Sequence, residues 1–456
     1  MRWTATLALA ASVVGLGSAG RAAEFLGLGV SFSEALNISA DGKTVVGGLY
    51  DNAARTNVLP FRWTKTTGLQ LLPTDTEGVA RGSAAGISSD SSIIVGYTGA
   101  TDAFNDAVRW VDGGAPAALG DLAGGTDNSQ AVDVSYDGSV IVGKSVSSTG
   151  VTAFRRTEAE GMVSLGVLTG ANGRSEAYAV SGDGSTVVGS SSSKAANSGL
   201  FGEAFVWTEA DGMQGLGHLH PEAAYVGSVA YDVSADGSVV VGVSSVLQIG
   251  GLVSTEAFRW TKESGIMQSL GDLPGDGLFS TAYGVSGDGS LVVGSGRDAS
   301  GERAFIWDEA DGMRNLRDVL VSDYGLGNSL TGWTLSSATA ISADGMFLTG
   351  IGRNPDGLTE SWYVDLNAKL IPGDANGDGK VDLSDFGILK SNFGSGTTLA
   401  EGDFNADGKV DLSDFGILKE NFGATGAAFV PEPSSLVLAG IGVLALGLVA
   451  RRRRTA

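Results

Sequence analysis

A ten-residue segment recurs seven times within the first 350 residues of the chain. Residues 180–189 give the pattern as Val-Ser-Gly-Asp-Gly-Ser-Thr-Val-Val-Gly, and the other copies depart from it only slightly. The aspartates of successive copies are 46 to 56 residues apart, at Asp41, Asp90, Asp137, Asp183, Asp236, Asp288 and Asp344. A period of this length is typical of units that bury their apolar faces against their neighbours, so the sequence predicts a repeat architecture.

Each repeat contains enough short segments for four β-strands. In the fourth repeat, apolar segments over 177–180 and 186–190 flank a Gly-Asp-Gly turn, which favours two paired strands. Phe205 and Trp207 alternate at period two, which predicts a third strand with both rings on one face. A Leu-Gly-x-Leu segment over Leu216–Leu219 predicts the fourth strand. No run in this region shows sustained helical periodicity, so we expect an all-β body.

Seven such units predict a seven-bladed β-propeller over residues 24–367. The last unit contains Trp362 but has no Leu-Gly-x-Leu segment of its own, whereas an extra copy begins at Leu26. We therefore expect the N-terminal segment to complete the last blade, which closes the ring and removes the open sheet edges. An open β-solenoid or an array of sandwiches is the alternative.

The seven turn aspartates are better explained as structural residues than as catalytic ones. An aspartate in such a turn bonds the backbone two residues further on, whereas catalysis needs a few carboxylates in different environments. The chain has two histidines, His218 and His220, which we interpret as loop residues, and it has no cysteine. The sequence therefore identifies no catalytic residue.

The repeat segments resemble the HAF-type extracellular repeat family. The Ala-Phe-Arg-Trp block at Ala257–Trp260 and the block at Asp232–Gly242 carry this resemblance, which extends over residues 25 to about 366. The family implies an extracellular location and no assigned reaction.

Two acidic segments after the repeats, residues 374–385 and 403–414, follow the twelve-residue pattern of a calcium loop. Hard Ca²⁺ takes six to eight oxygen ligands, which this pattern supplies from positions 1, 3, 5, 7, 9 and 12. The position-7 lysines would contribute their backbone carbonyls, and position 12 is Asp instead of the usual Glu. The sequence predicts two Ca²⁺ sites, at Asp374, Asn376, Asp378, Lys380, Asp382 and Asp385, and at Asp403, Asn405, Asp407, Lys409, Asp411 and Asp414. A pair of acidic turns without metal is the alternative.

These loops resemble a dockerin more than a full pair of EF-hands, because of the Asp at position 12 and the missing helix before each loop. The resemblance implies a small α module over residues 368–425, with Val381 and Val410 packing the two loops together. It also implies a cohesin-like partner module. A stiff spacer with no partner is the alternative role for this segment.

Residues 1–23 have the composition of a secretory signal peptide. Arg2 is followed by an apolar run over 7–16 and then by the small residues that a signal peptidase requires. The alternative is a buried N-terminal helix.

The C-terminal residues 426–456 contain Pro431, Glu432 and Pro433, an uncharged stretch over 436–450, and four arginines at 451–454. The uncharged stretch predicts a short transmembrane helix with its arginines on the cytoplasmic side. The three parts together resemble the PEP-CTERM sorting signal, which implies processing by an exosortase at the Pro-Glu-Pro motif. An ordinary tail anchor is the alternative.

A formal net charge of −22 disfavours a nucleic-acid partner, because the chain would repel a phosphate backbone. We expect an exported protein, displayed at the cell surface or in the extracellular matrix. Its propeller would bind a ligand without catalysis, and its dockerin-like module would bind calcium. The alternative is an enzyme or accessory module of polysaccharide degradation, assembled through a dockerin–cohesin contact, with surface polysaccharide as a partner.

Overall fold

The computed structural model describes residues 23–55, 57–74, 81–101, 104–168, 173–193, 202–223, 226–247, 253–275, 279–366, 372–376, 380–397, 401–405 and 408–424. The predicted signal peptide up to residue 22, the Pro431–Glu432–Pro433 motif and the predicted transmembrane helix lie outside these ranges. Within them, no helix combines the length and hydrophobicity that a membrane crossing requires. The described residues form two compact units, divided between residues 367 and 368.

The N-terminal unit is built almost entirely from antiparallel β-strands. In chain order they begin with β1 (Glu24–Ser31), β2 (Ser33–Ile38), β3 (Thr44–Tyr50), β4 (Val58–Thr64), β5 (Gly68–Leu71), β6 (Arg81–Ile87), β7 (Ile93–Thr101), β8 (Phe104–Val111), β9 (Pro116–Ala118), β10 (Ser129–Val134), β11 (Ile141–Ser147), β12 (Gly150–Thr157), β13 (Gly161–Gly166) and β14 (Ser175–Val180). They continue with β15 (Thr186–Ser191), β16 (Glu203–Thr208), β17 (Gly212–Gly217), β18 (Val226–Val233), β19 (Val239–Leu247), β20 (Val253–Thr261), β21 (Met267–Ser269), β22 (Thr281–Val285), β23 (Val292–Asp298), β24 (Gly301–Asp308), β25 (Gly312–Asn315), the helix α1 (Leu316–Ser322), β26 (Thr334–Ile341), β27 (Phe347–Arg353) and β28 (Thr359–Asp365).

These strands form seven four-stranded sheets, which confirms the predicted seven-bladed propeller. Blades 1 to 6 each use four consecutive strands, from β2–β5 in blade 1 to β22–β25 in blade 6. The first strands of consecutive blades contact one another around a complete ring, and β26 of blade 7 contacts β2 of blade 1. We call these seven first strands the inner strands.

Blade 7 is completed from the other end of the chain, as predicted. Its sheet has the order β1–β28–β27–β26, with Phe25 opposite Val364 and Gly27 opposite Trp362. The N-terminal strand therefore supplies the outer strand that the last repeat lacks.

A buried serine near the start of most inner strands bonds to the preceding blade. In blade 5, Ser228 Oγ accepts a hydrogen bond from the Ala204 N–H (2.9 Å) and donates to the Gly217 carbonyl (2.6 Å). Ser33 of blade 1 makes the same pair of bonds across the closure, to the Ser361 N–H and the Val30 carbonyl. The closing interface is therefore built like the others.

Apolar side chains fill the spaces between neighbouring blades. Val188 and Ala204 of blade 4 pack with Ala230, Val240 and Phe258 of blade 5 in one cluster. The aromatic pairs of the third strands share a face, as predicted, and Phe61 and Trp63 lie in one cluster.

In blades 2 to 5 the fourth strand differs in position from the prediction. In blade 4, β17 covers the Gly-Met segment from Gly212 and ends at Gly217, the glycine of Leu-Gly-x-Leu. That glycine has a positive φ of 80°, which turns the chain out of the sheet. The last leucine of the motif lies beyond the strand. The matching glycine in β1 is Gly29, with φ 79°. The N-terminal copy of the Leu-Gly-x-Leu segment therefore begins at Leu28 and not, as predicted, at Leu26.

The helix α1 was not predicted. It follows β25 where other blades carry Leu-Gly-x-Leu, and Asn315 caps it by accepting from the Arg317 N–H. Leu316 and Leu320 are fully buried against blade 7, so the helix takes over the apolar contacts of the missing leucines.

In its described residues, the C-terminal unit contains two helices of equal length, α2 (Leu383–Asn392) and α3 (Leu412–Asn421). Each begins with a reciprocal capping box, between Asp382 and Asp385 and between Asp411 and Asp414. Val381, Leu389, Val410 and Leu418 form the core, which confirms that the two valines pack the loops together.

Candidate functional site

Each inner strand of the propeller carries a β-bulge at the same place. In blade 4 the pairing with β15 shifts between Ala177 and Ala179, which leaves Tyr178 unpaired. The same shift follows the equivalent alanine in every other blade. A bulge redirects one side chain, and here the seven bulged residues all line one cavity of about 430 Å³: Leu36, Ala85, Val132, Tyr178, Tyr231, Tyr283 and Thr339. We call it the channel cavity.

Three consecutive blades place tyrosines in this cavity. The ring centroids of Tyr178 and Tyr231 are 5.5 Å apart, and those of Tyr231 and Tyr283 are also 5.5 Å apart. The rings are tilted by 59° and 50° to one another. We call these residues the tyrosine arc. The Tyr178 hydroxyl donates to Glu176 Oε2 (3.1 Å), and burial raises the pKa of Tyr231 to about 12.

The residue after each bulge alternates between polar and small over the first six blades. The seven positions are Asn37, Gly86, Asp133, Ala179, Asp232, Gly284 and Ala340. A polar side chain therefore has a small residue beside it in the next blade. Asp133 Oδ2 accepts from the Val180 N–H of blade 4 (2.9 Å), and Asp232 Oδ2 accepts from the Val285 N–H of blade 6 (2.8 Å).

Both aspartates line the cavity deep within the ring. Burial raises the pKa of Asp133 to about 7, against the lowering effect of the Val180 N–H. Burial likewise raises the pKa of Asp232 to about 7, and the negative charge of Asp133 adds to the effect. Glu302 is a third acid at the cavity, and the described lining residues include no Lys, Arg or His.

The seven turn aspartates have the structural role that the sequence predicted. Each accepts a hydrogen bond from the backbone N–H two residues further on, as Asp137 does from Ser139 (2.9 Å). Asp137 also accepts from the Ser135 hydroxyl, and these bonds hold its pKa below the usual value. None of the seven lines the channel cavity in the described part of the chain.

The two histidines lie in the loop after β17, as predicted. His220 Nε2 is 3.0 Å from Glu256 Oε2, and burial lowers the pKa of His218. Neither residue lines the channel cavity.

The acidic loops bring carboxylates together in the C-terminal unit. Asp385 and Asp414, at position 12, are fully buried, and Asp374 and Asp403, at position 1, are 4% and 3% exposed. Asp385 Oδ1 accepts from the Ala375 N–H (2.9 Å), so position 12 folds back over the start of its loop. Asp414 Oδ1 accepts from the Phe404 N–H in the same way (2.8 Å).

The donor set of these loops fits Ca²⁺. Buried carboxylates are stable in proteins when they are paired or bind a metal, and the loops offer oxygen donors only. Gly408, at position 6, has φ 83° and donates its N–H to Asp403 Oδ2 (2.9 Å), which folds the loop around a central point. Asp378 and Asp407, at position 5, lie outside the described residues. Within those residues, no group of three or more His, Cys, Asp or Glu is placed to hold an ion.

The paired loops and helices agree with a comparison against known families. Residues 372–423 match the dockerin type I domain. Dockerin type I domains bind calcium generally, and they imply contact with a cohesin-type partner. A second segment, residues 429–454, matches the PEP-CTERM protein-sorting motif, which implies processing by an exosortase. The two matches indicate an exported protein of the cell surface.

A search among curated proteins finds no sequence match to the chain. Among solved structures, an oligogalacturonate lyase in complex with manganese has 14% identity and a TM-score of 0.49, over 75% of this chain and 93% of its own. TolB from Acinetobacter baumannii has 13% identity and a TM-score of 0.39, over 59% of this chain, which spans 62% of that protein. Scores this low carry no argument about function, and the HAF-type identity of the repeats stays a prediction.

The residues of the channel cavity were missed in the sequence. Each of the seven bulged residues follows an alanine that is present in all seven repeats, such as Ala177 before Tyr178 and Ala230 before Tyr231. The available signal in the sequence was a residue that varies between repeats directly after an alanine that does not. Only the bulge in the structure shows that the varied residue faces the axis.

Proposed function

We propose that this protein is displayed at the cell surface or in the extracellular matrix and binds a ligand in the channel cavity of its propeller. A signal peptide over 1–23 would direct export, and a sorting segment over 426–456 would hold the protein in the inner membrane by its helix until exosortase cleavage. The propeller over 24–367 would be the binding body, and the module over 368–425 would join it to a partner.

The observation that carries the binding role is the channel cavity itself. The repeats keep the same serines, turn aspartates and glycines, whereas the bulged positions carry five different residue types. A cavity that is enclosed by a constant scaffold and lined by varied side chains is the arrangement expected of a binding site.

The bonding of the two cavity aspartates favours binding over catalysis. Asp133 and Asp232 occupy equivalent positions in blades 3 and 5, and each is bonded to a backbone N–H of the next blade. An enzyme acting on polysaccharide would need an acidic pair with two different environments. Polysaccharide degradation remains the second candidate because of the dockerin match; sustained turnover of a polysaccharide that Asp232→Asn abolishes would replace our proposal.

The C-terminal unit offers a surface for the cohesin-type partner. Leu383 and Leu412, the first residues of α2 and α3, are each 75% exposed, and Phe393 and Phe422 are about half exposed. We assign these four exposed apolar side chains to the contact with the partner.

We further propose that the two loops bind one Ca²⁺ each, through the twelve residues that the sequence indicates. Asp385→Asn should remove one ion per chain, and the double variant Asp385→Asn/Asp414→Asn should remove both. Asparagine keeps the shape of the side chain but removes the charge that a Ca²⁺ ligand supplies. Calorimetric titration of the full-length protein with Ca²⁺ measures the number of ions.

Glu420→Gln is the matched control, because Glu420 is an exposed acid on α3 outside both loops. It should keep two ions per chain. Calcium at one hundred times its Kd should stabilise the C-terminal unit by about 2.7 kcal/mol for each bound ion. Two ions bound by the double variant would contradict the assignment.

A further inference from the structure

The side chains that line the channel cavity indicate which class of ligand it binds. It combines three aromatic rings, three acids, several apolar side chains and the neutral polar residues Asn37, Ser337 and Thr339 in a volume of about 430 Å³. We propose that this cavity binds a small organic cation, an alkylammonium group, between the tyrosine arc and the aspartates Asp133 and Asp232. The inference rests on the proposed binding role of the propeller and names its ligand class.

The tyrosine arc supplies the aromatic half of the site. Tyr178, Tyr231 and Tyr283 come from three adjacent blades, and their bulges direct all three toward the axis. The face of an aromatic ring carries negative potential, so it attracts a desolvated cation. Three rings at one side of a cavity form a surface that a methylated or alkylated ammonium group would contact.

The charge of the cavity favours a cation over a neutral ligand. Asp133, Asp232 and Glu302 line it, and its described residues include no basic side chain. Burial of a carboxylate without an opposite charge is unfavourable. An ammonium ion offsets this cost, whereas a neutral saccharide leaves it in place.

The same residues disfavour a metal ion as the occupant. Ca²⁺ requires six to eight oxygens, and Asp232 already uses Oδ1 for the Val233 N–H and Oδ2 for the Val285 N–H (2.8 Å each). Leu36, Val132 and Ile351 occupy other parts of the wall. An apolar wall of this kind contacts the alkyl groups of an organic cation favourably and offers nothing to a hydrated metal.

The binding test uses choline and its neutral isostere 3,3-dimethyl-1-butanol, titrated into the full-length protein at saturating Ca²⁺ and pH 8. Choline should bind at least tenfold more tightly than the alcohol, because the two have the same shape and differ in charge. Maltose is the third probe and represents a neutral saccharide.

Two variants separate the aromatic and the acidic contributions. Tyr231→Leu should weaken choline binding at least tenfold, whereas Tyr231→Phe keeps the ring and should stay within threefold of the natural protein. Asp232→Asn should also weaken it at least tenfold. Asp137→Asn, in a turn away from the cavity, is the control and should change nothing.

The outcomes distinguish this inference from the binding role on which it rests. Equal affinity for choline and the alcohol, or no choline binding at all, overturns the cation assignment. Maltose binding that Tyr231→Leu abolishes, without choline binding, would keep the binding role and replace the ligand class. If Tyr231→Leu does not fold, Asp232→Asn and Tyr231→Phe still decide the result.

Discussion

The two units of this protein both arise from repetition, but they preserve opposite parts of the repeat. In the C-terminal unit the two loops carry the same residue at every proposed ligand position, as in Asp374 and Asp403 or Asp385 and Asp414. In the propeller, the positions that face the cavity differ from blade to blade, from Ala85 to Tyr178. The duplicated loops repeat the site, whereas the propeller repeats the scaffold.

This difference follows from where each ligand would lie. Each loop encloses its own ion, so both copies must keep every ligand. The seven blades share one cavity on their common axis, and each contributes one bulged side chain to it. Constancy therefore identifies the functional residues of the loops and the structural residues of the blades.

The strongest test of the scaffold role is a change at a constant glycine. A Cβ on Gly189 would overlap the Glu176 carbonyl oxygen and lie 2.9 Å from Phe205 Cε1. Because the bulged inner strand and the Phe ring both occupy that space, Gly189→Ala should destabilise the propeller by about 4 kcal/mol or more. Denaturant unfolding, followed by tryptophan fluorescence, measures the loss.

Gly327→Ala is the matched control in the same unit. Its Cβ would meet only Val321 Cγ1, at an ordinary 3.6 Å, so stability should change by less than about 0.5 kcal/mol. Equal effects at the two positions would show that the constant glycine is not required by packing.

Two of the variable cavity residues, Asp133 and Asp232, should instead make the stability of the propeller depend on pH. The folded-state pKa of Asp133 and Asp232 is about 7, above the usual value of 3.8, so the folded protein holds these protons more tightly than the unfolded chain does. The contribution of these two groups to the free energy of unfolding should therefore be complete below pH 4. It should be lost as the pH rises through 7. The titratable groups that act on the pair are the two aspartates themselves and Tyr136, which stays neutral in this range because burial raises its pKa; Glu302 also lines the cavity.

At about 1.4 kcal/mol per pKa unit, each of the two aspartates should lose on the order of 2 kcal/mol of stability between pH 5 and pH 7. Asp133→Asn/Asp232→Asn should flatten this part of the profile, as measured by thermal unfolding at saturating Ca²⁺. Asp137→Asn should leave it unchanged in that range, because hydrogen bonds lower the pKa of Asp137. A double variant with the natural slope would place the titration elsewhere.

The sequence was sufficient for the features that repeat. Seven copies of the turn segment predicted seven blades, and the extra copy of the Leu-Gly-x-Leu segment, expected at Leu26, predicted how the ring closes. It was insufficient where the function depends on one backbone irregularity. Nothing in the residues around Tyr178 distinguishes a bulge from a regular strand. In a regular strand, Tyr178 could lie on either face of the sheet, so the sequence does not predict that it faces the axis. The helix α1 was missed for a related reason, since its seven residues are too few to show a helical period.

The smallest effect concerns the one turn that departs from the constant scaffold. Ser91 of blade 2 has φ 62°, where the other six turns have glycine with φ of 70–75°. A residue with a Cβ is unfavourable in this conformation by about 1 kcal/mol. The freedom that glycine adds to the unfolded chain offsets part of this gain, so Ser91→Gly should stabilise the propeller by less than about 1 kcal/mol. Ser89→Gly, in the same turn, is the control and should destabilise slightly, because Ser89 has no positive φ and glycine there only adds freedom to the unfolded chain. Paired denaturant curves resolve the two signs. A loss of stability in Ser91→Gly would mean that the Ser91 side chain stabilises blade 2. A scaffold position that varies between repeats would then contribute to stability as the constant positions do.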